Sequence, residues 1–151
     1  MTCALFGHKE SPDSIKPLLE NEIRKLIENE GYEEFLVGNQ GRFDTMAYSA
    51  LKRLQTEYPA IRCYVVLAYM PGKKDEYSYV EYADTIYPEG LETVPRRFAI
   101  SRRNKWIVEN SNAVICYINH TWGGAYQAVI FAEKRNLSII NLAQKNPRHL
   151  S

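Results

Sequence analysis

Asn112-Ala-Val-Ile-Cys-Tyr-Ile-Asn-His-Thr-Trp-Gly-Gly-Ala-Tyr-Gln-Ala-Val-Ile-Phe-Ala132 is the stretch whose reading decides the fold. Ala113 to Ile118 is a near-continuous apolar run with β-branched members, the pattern of a parallel strand covered on both faces. After Gly123-Gly124 the apolar residues resume at helical spacing, with Ala128, Phe131, Ala132 and Arg135 on one stripe. A strand that turns through glycine directly into a helix aims free backbone N–H groups and the positive end of the helix dipole at one point. Such a point accepts an anion.

Working outward, the same unit recurs. Thr2 to Phe6 is a short apolar strand ending at Gly7-His8-Lys9, and Ser11-Pro12 is a helix-start pair of N-cap and first-turn proline. Ile15, Leu18, Leu19, Ile23, Leu26 and Ile27 then form an apolar stripe that Gly31 stops. Glu34 to Gly38 is a second strand, followed by the turn Asn39-Gln-Gly-Arg-Phe-Asp44 and a helix striped by Met46, Ala47, Ala50, Leu51 and Leu54. Ile61 to Tyr69 is a third strand. From Met70 to Pro95 the pattern loosens into a charge cluster, Lys73 to Glu76, and several tyrosines around one strand candidate, Asp84 to Tyr87. Arg96 to Asn110 regains helical character, with Ile100, Arg103, Asn104 and Ile107 sharing a face. Ser138 to Leu142 supplies a last strand, and residues 142–151 read as a polar tail.

Strands alternating with helices predict an α/β fold. We expect one Rossmann-like domain over residues 1–151, with a mainly parallel sheet and helices on both faces. A chain of 151 residues accommodates one full core. Ligands of such sheets bind beyond the carboxyl ends of the strands, where strand order reverses. Gly7, Gly38 to Gly41 and Gly123-Gly124 all lie at strand ends and are expected to line one rim.

The charge balance is close to even, 19 basic against 18 acidic side chains. It offers no overall field for a nucleic-acid backbone or an anionic membrane, so no extended nucleic-acid surface is expected. No apolar run approaches the length of about 20 residues that spans a bilayer, and the N-terminus lacks a signal-type core, so no membrane association is expected. Cys3, Cys63 and Cys116 have no close-spaced partner and read as buried free thiols. The expected location is cytoplasmic.

Four motifs, Phe6-Gly-His-Lys9, Gly38-Asn-Gln-Gly-Arg-Phe-Asp-Thr45, Arg103-Asn-Lys-Trp-Ile-Val108 followed by Ser111, and Trp122-Gly-Gly-Ala125, resemble the successive motifs of the SLOG superfamily. The likeness is to its YpsA-like bacterial members and spans Thr2 to Leu142. It implies a Rossmann-like domain in which Ala113 to Ile118 lies beside Thr2 to Phe6 and Asp84 to Tyr87 forms an edge beside the third strand. It also implies a nucleotide or nucleotide-derived ligand. The enzymatic branch, the cytokinin-activating phosphoribohydrolases, carries Pro-Gly-Gly-x-Gly-Thr followed by glutamate. Here Trp122 stands in place of the proline, Tyr126 and Gln127 follow Ala125, and Val129-Ile130 occupy the stretch expected to hold the acid. Hydrolysis of an N-glycosidic bond needs a carboxylate near the ribose, so its usual source is missing.

Each candidate residue also has a simpler reading. A glycine is needed wherever φ is positive, but three glycine turns at one rim point to phosphate. Asp44 can cap the second helix, accept a ribose hydroxyl or serve as a displaced acid, and as a cap its backbone bonds would hold it ionised. His8 and His120 meet at the rim, where hydrogen bonding to phosphate or base is the expected role and a metal site is not. Arg103 is the expected phosphate cation, with Arg102 as substitute and Lys9 entering from the first turn, although an arginine on a helix can simply snorkel. Trp122 abuts the glycines in an exposed turn and is the aromatic expected to stack on a base.

The expected site is therefore Gly7, His8, Lys9, Gly38, Asn39, Gln40, Gly41, Asp44, Arg103, Asn104, Asn119, Trp122, Gly123 and Gly124, with no metal and no cofactor. The expected function is binding of a nucleotide or ADP-ribose-like ligand in a sensor or regulatory role. Homodimer formation is left open. One alternative is a nucleoside-monophosphate phosphoribohydrolase that uses Asp44. Another is a protein-interaction module with structural glycine turns and a tyrosine-rich partner surface over Tyr77 to Tyr87.

Overall fold

The structure is a computed structural model that describes residues 1–70 and 84–144. The charge cluster Lys73 to Glu76, most of the tyrosine-rich stretch and residues 145–151 of the polar tail lie outside the described residues.

Among the described residues, six strands form one parallel sheet: β1 (Thr2–Gly7), β2 (Glu34–Val37), β3 (Arg62–Val66), β4 (Thr85–Ile86), β5 (Ala113–Tyr117) and β6 (Ser138–Asn141). The spatial order is β4-β3-β2-β1-β5-β6. The order therefore reverses between β1 and β5, and the fold is α/β and Rossmann-like. Gly7 pairs with Tyr117 at that seam, so the loops leaving β1 and β5 diverge from one point. This divergence opens the rim.

Four α-helices among the described residues cover the sheet: α1 (Lys16–Glu30), α2 (Arg42–Glu57), α3 (Ala99–Glu109) and α4 (Gly124–Lys134). Alternate residues of each strand point to opposite faces. Cys3, Leu5, Phe35, Val37 and Ile115 pack with Leu19, Ile23, Leu26, Leu51 and Leu54 of α1 and α2. Ala4, Phe6, Leu36, Val114 and Cys116 pack with Ile107, Val108, Ala128, Val129 and Ala132 of α3 and α4. Both faces of the sheet are thus covered, which accounts for the unbroken apolar strands.

Local chemistry shifts some expected boundaries. Ser11 does not cap a helix. Its Oγ donates to the His8 carbonyl at 2.7 Å, and a 3-10 turn over Asp13–Ile15 precedes α1. Gly31 does end α1, with φ 70°. Leu18, expected in the apolar stripe, stands at the stripe's edge and is exposed. The strand expected over Asp84 to Tyr87 shortens to Thr85–Ile86, paired with Val65 and Val66. No helix among the described residues is long and apolar enough to cross a membrane. The three cysteines are free and buried, and burial pushes all three thiols up, that of Cys63 to about 12.

Candidate functional site

A cleft of about 470 Å³ opens at the carboxyl rim where strand order reverses. Of the expected residues, Gly7, His8, Lys9, Gly38, Gln40, Asp44, Arg103, Asn104, Trp122, Gly123 and Gly124 line it. Phe6, Glu10, Ile100, His120 and Ala125 complete the lining. Ile100 was legible from the α3 stripe that it shares with Arg103 and Asn104, whereas Glu10 carried no motif.

The two glycine turns before helices are alike in backbone and different in chemistry. Gly41 (φ 94°, ψ −179°) precedes α2 and Gly123 (φ 99°, ψ 169°) precedes α4, a conformation open in practice only to glycine, and no side chain caps either helix. At α2 the protein uses its own donors. Arg42 N–H donates to the Lys9 carbonyl at 2.9 Å, and Gln40 N–H donates to Asp44 Oδ2 at 2.9 Å. At α4 the first-turn N–H groups remain available at the cleft mouth, because a helix start without a cap leaves its donors unsatisfied. Gly123-Gly124 is therefore the glycine turn that offers backbone donors to the cleft.

Packing explains two of the other glycines. A Cβ on Gly7 would lie 2.2 Å from the Phe43 ring, and one on Gly38 would lie 2.8 Å from Asp44 Oδ2. Gly124 is different. Its Cβ position meets nothing nearer than Asn104 Nδ2 at 4.0 Å, so no contact within the protein demands glycine there.

Arg103 is 2% exposed although it lines the cleft. Its guanidinium donates to the Val66 carbonyl at 2.7 Å, to Asn39 Oδ1 at 3.2 Å and to Asn104 Oδ1 at 2.8 Å. The last bond orients the Asn104 amide so that its Nδ2 faces Gly124, adding a neutral donor beside the α4 N-terminus. Asn39 is not part of the lining and acts by holding Arg103.

Asp44 is not the helix cap. Gly41 takes that position, and Asp44, two residues inside α2, reaches back to Gln40. Nor is its carboxylate held in the ordinary acidic range. Burial raises its pKa to about 6, against the opposing pull of the Gln40 N–H and of the Arg103 charge. Desolvation outweighs the hydrogen bond here, the reverse of the expectation from capping.

The opposite wall is a column of rings. His8 and His120 stack at 3.4 Å between centroids and 16° between planes, and His120 stacks on Trp122 at 3.8 Å and 19°. Asn119, outside the lining, donates its N–H to His8 Nε2 at 3.2 Å, which makes that nitrogen an acceptor in a neutral ring. Burial, then the neighbouring His120, lower the His8 pKa. Trp122 closes the column and is 68% exposed. Stacked imidazoles keep their nitrogen lone pairs in parallel planes instead of converging on a common centre.

In the stretch Val129-Ile130, where the acid of the phosphoribohydrolases was expected, Val129 is buried in the core and neither residue lines the cleft, and Glu133 is outside the lining. Asp44 and Glu10 are the carboxylates that line the cleft.

Solved structures share the fold. DNA processing protein A (DprA) from Streptococcus pneumoniae and the same protein from Helicobacter pylori each match with a TM-score of 0.66 at 15% identity over 93% of this chain. The chain spans 49% and 64% of those two chains, less than two thirds of either. The Helicobacter pylori protein binds single-stranded DNA. That likeness corrects the expectation that there is no extended nucleic-acid surface. An even net charge averages over the whole molecule, while a nucleic acid responds to the charges along its own path. No curated protein matches the chain. The model of the YpsA family, a SLOG family, matches residues 3–138, and the chain belongs to that family.

Proposed function

We propose that the chain is a cytoplasmic binder of a nucleotide or nucleotide-derived ligand, ADP-ribose-like compounds included, with a sensing or regulatory role. Family and fold suggest a nucleotide- or DNA-related binding role. The observation that carries the finer reading is the pairing, in one cleft, of an uncapped α4 N-terminus with the ring column ending at Trp122. The first is suited to a phosphate and the second to a base. A volume of about 470 Å³ also falls within the usual range of small-molecule sites.

Native mass spectrometry of protein purified from cells, with identification of any small molecule released on denaturation, tests this reading. It is followed by calorimetry with AMP, ADP, ADP-ribose and the matching nucleosides. Binding that requires the phosphate supports it. Nucleosides binding as tightly as nucleotides, or no binding by any of them, overturns it.

The Asp44 pKa of about 6 favours a second reading, N-glycoside hydrolysis, because a carboxyl near neutrality at a cleft floor can transfer protons. It would need Asp44 to leave its bond to Gln40 and approach a ribose. Chromatographic detection of free base after incubation with each nucleoside monophosphate tests it. Turnover of about 1 per second or faster, lost in Asp44→Asn, would install the hydrolase.

A further inference from the structure

Between Thr93 and Val108 the chain carries Arg96, Arg97, Arg102, Arg103 and Lys105 and no acidic residue. Helix α3 sorts these cations. Ile100, Arg103 and Asn104 turn toward the cleft, while Phe98, Arg102 and Lys105, spaced four and three residues apart, lie along the outer side of the helix. This outer stripe is about 10 Å long at 1.5 Å per residue. Phe98 is 51% exposed, and Arg102 and Lys105 are exposed. With Trp106 they line a second hollow, of about 680 Å³, bounded by the segment from Pro88 to Pro95. The Arg97 guanidinium lies 4.7 Å from the centroid of the Phe98 ring.

We propose that this outer face of α3 is a track for single-stranded nucleic acid, with phosphates on Arg97, Arg102 and Lys105 and an unpaired base on Phe98. Cations interleaved with an exposed ring match a single strand, whose bases present π-faces that a duplex hides. The charge is local, which is why a protein with nearly equal basic and acidic totals can carry it. Glu89 and Glu109 also stand in the lining. They would repel an extended anionic surface such as a membrane. The track lies on the side of α3 away from the cleft and does not rest on a nucleotide occupying that cleft.

The test is fluorescence anisotropy with a labelled oligodeoxythymidine of about 12 nucleotides, within the site sizes of single-strand binders. Expected is saturable binding whose log affinity falls against log salt with a slope near −2, about 0.7 for each of three phosphates. Arg102→Glu with Lys105→Glu should weaken it at least about tenfold and flatten the slope. Phe98→Ala should weaken it about tenfold with the slope unchanged. Both variants should keep the wild-type circular dichroism and AMP affinity, so failure of the cleft and failure of the track are read separately. The proposal is overturned by an absence of oligonucleotide binding at low salt, or by binding that charge reversal leaves intact. Equal affinity for a duplex or for an acidic peptide of matched charge also overturns it.

Discussion

The imidazoles of His8 and His120, from the loops after β1 and β5, stack face to face at 3.4 Å where the strand order reverses. Two rings this close and partly shielded from water resist sharing the site with two positive charges, and the His8 pKa is lowered by burial first and by His120 second.

The sign of the resulting pH dependence follows. His8 releases its proton more readily folded than unfolded, so its contribution to stability is present above the ordinary value of 6.5 and is lost as pH falls through the folded pKa. Between those pH values, acidification should destabilise the wild type through this group by at most about 1.4 kcal/mol per pH unit. Urea unfolding from pH 7.5 down to pH 5 should show a shallower acid slope in His8→Gln. An unchanged slope would mean that the stack does not control the His8 proton.

Asp44 titrates with the opposite consequence. Its folded pKa of about 6 exceeds its ordinary value of 3.8, so its contribution to stability is present below 3.8 and lost as pH rises through 6. Asp44→Asn, which can still accept the Gln40 N–H, should therefore stabilise the fold at pH 7 by about 1–3 kcal/mol, following the size of the shift. The gain should vanish near pH 3.5, where both forms are neutral. No gain at pH 7, measured by urea unfolding, would place the carboxylate in a far wetter or better-paired setting.

The glycines should separate into two kinds on substitution. Gly7→Ala puts a methyl group against the Phe43 ring and should cost about 1–3 kcal/mol of stability, as overpacking does. Gly124→Asp meets no close neighbour and should leave the fold intact while removing phosphate-dependent binding, because it sets a carboxylate over the α4 N–H groups. Calorimetry beside thermal unfolding distinguishes them. Undiminished phosphate-dependent binding in a folded Gly124→Asp would move the anion seat elsewhere.

Trp122→Ala should lower nucleotide affinity by about 1–3 kcal/mol, the scale of base stacking on an aromatic ring. Affinity for inorganic pyrophosphate should not change, since the α4 N-terminus does not depend on the indole. A parallel loss for both ligands, read by calorimetry, would mean that Trp122 shapes the turn and not the base site.

Arg103→Ala would leave the Val66 carbonyl, Asn39 Oδ1 and Asn104 Oδ1 without their donor and Asp44 without its nearby charge. A loss of about 3 kcal/mol or more is expected, because unpaired buried polar groups keep their full desolvation cost. Arg103→Lys should recover little of it, since one ammonium cannot span acceptors on three elements. Chemical denaturation of both variants decides this, and near wild-type stability of Arg103→Ala would make the network incidental.

The sequence by itself determined the alternation of strands and helices, the parallel sheet and the gathering of glycine turns at one rim. These follow from periodicity and turn chemistry, which neighbouring residues carry between them: apolar runs such as Ala113 to Ile118, helical stripes such as Met46 to Leu54, and the stop at Gly31. It also brought out Trp122 and Gly123-Gly124. Only the tertiary structure decided which glycines answer to packing, as Gly7 and Gly38 do. It alone joined Arg103 to Asn39 across 64 residues of chain and set His8 on His120. It also reversed the electrostatics of Asp44, because a charge is governed by how much water its surroundings leave it, and those surroundings come from Gly38 and Gln40 in the turn after β2 and from Arg103 on α3.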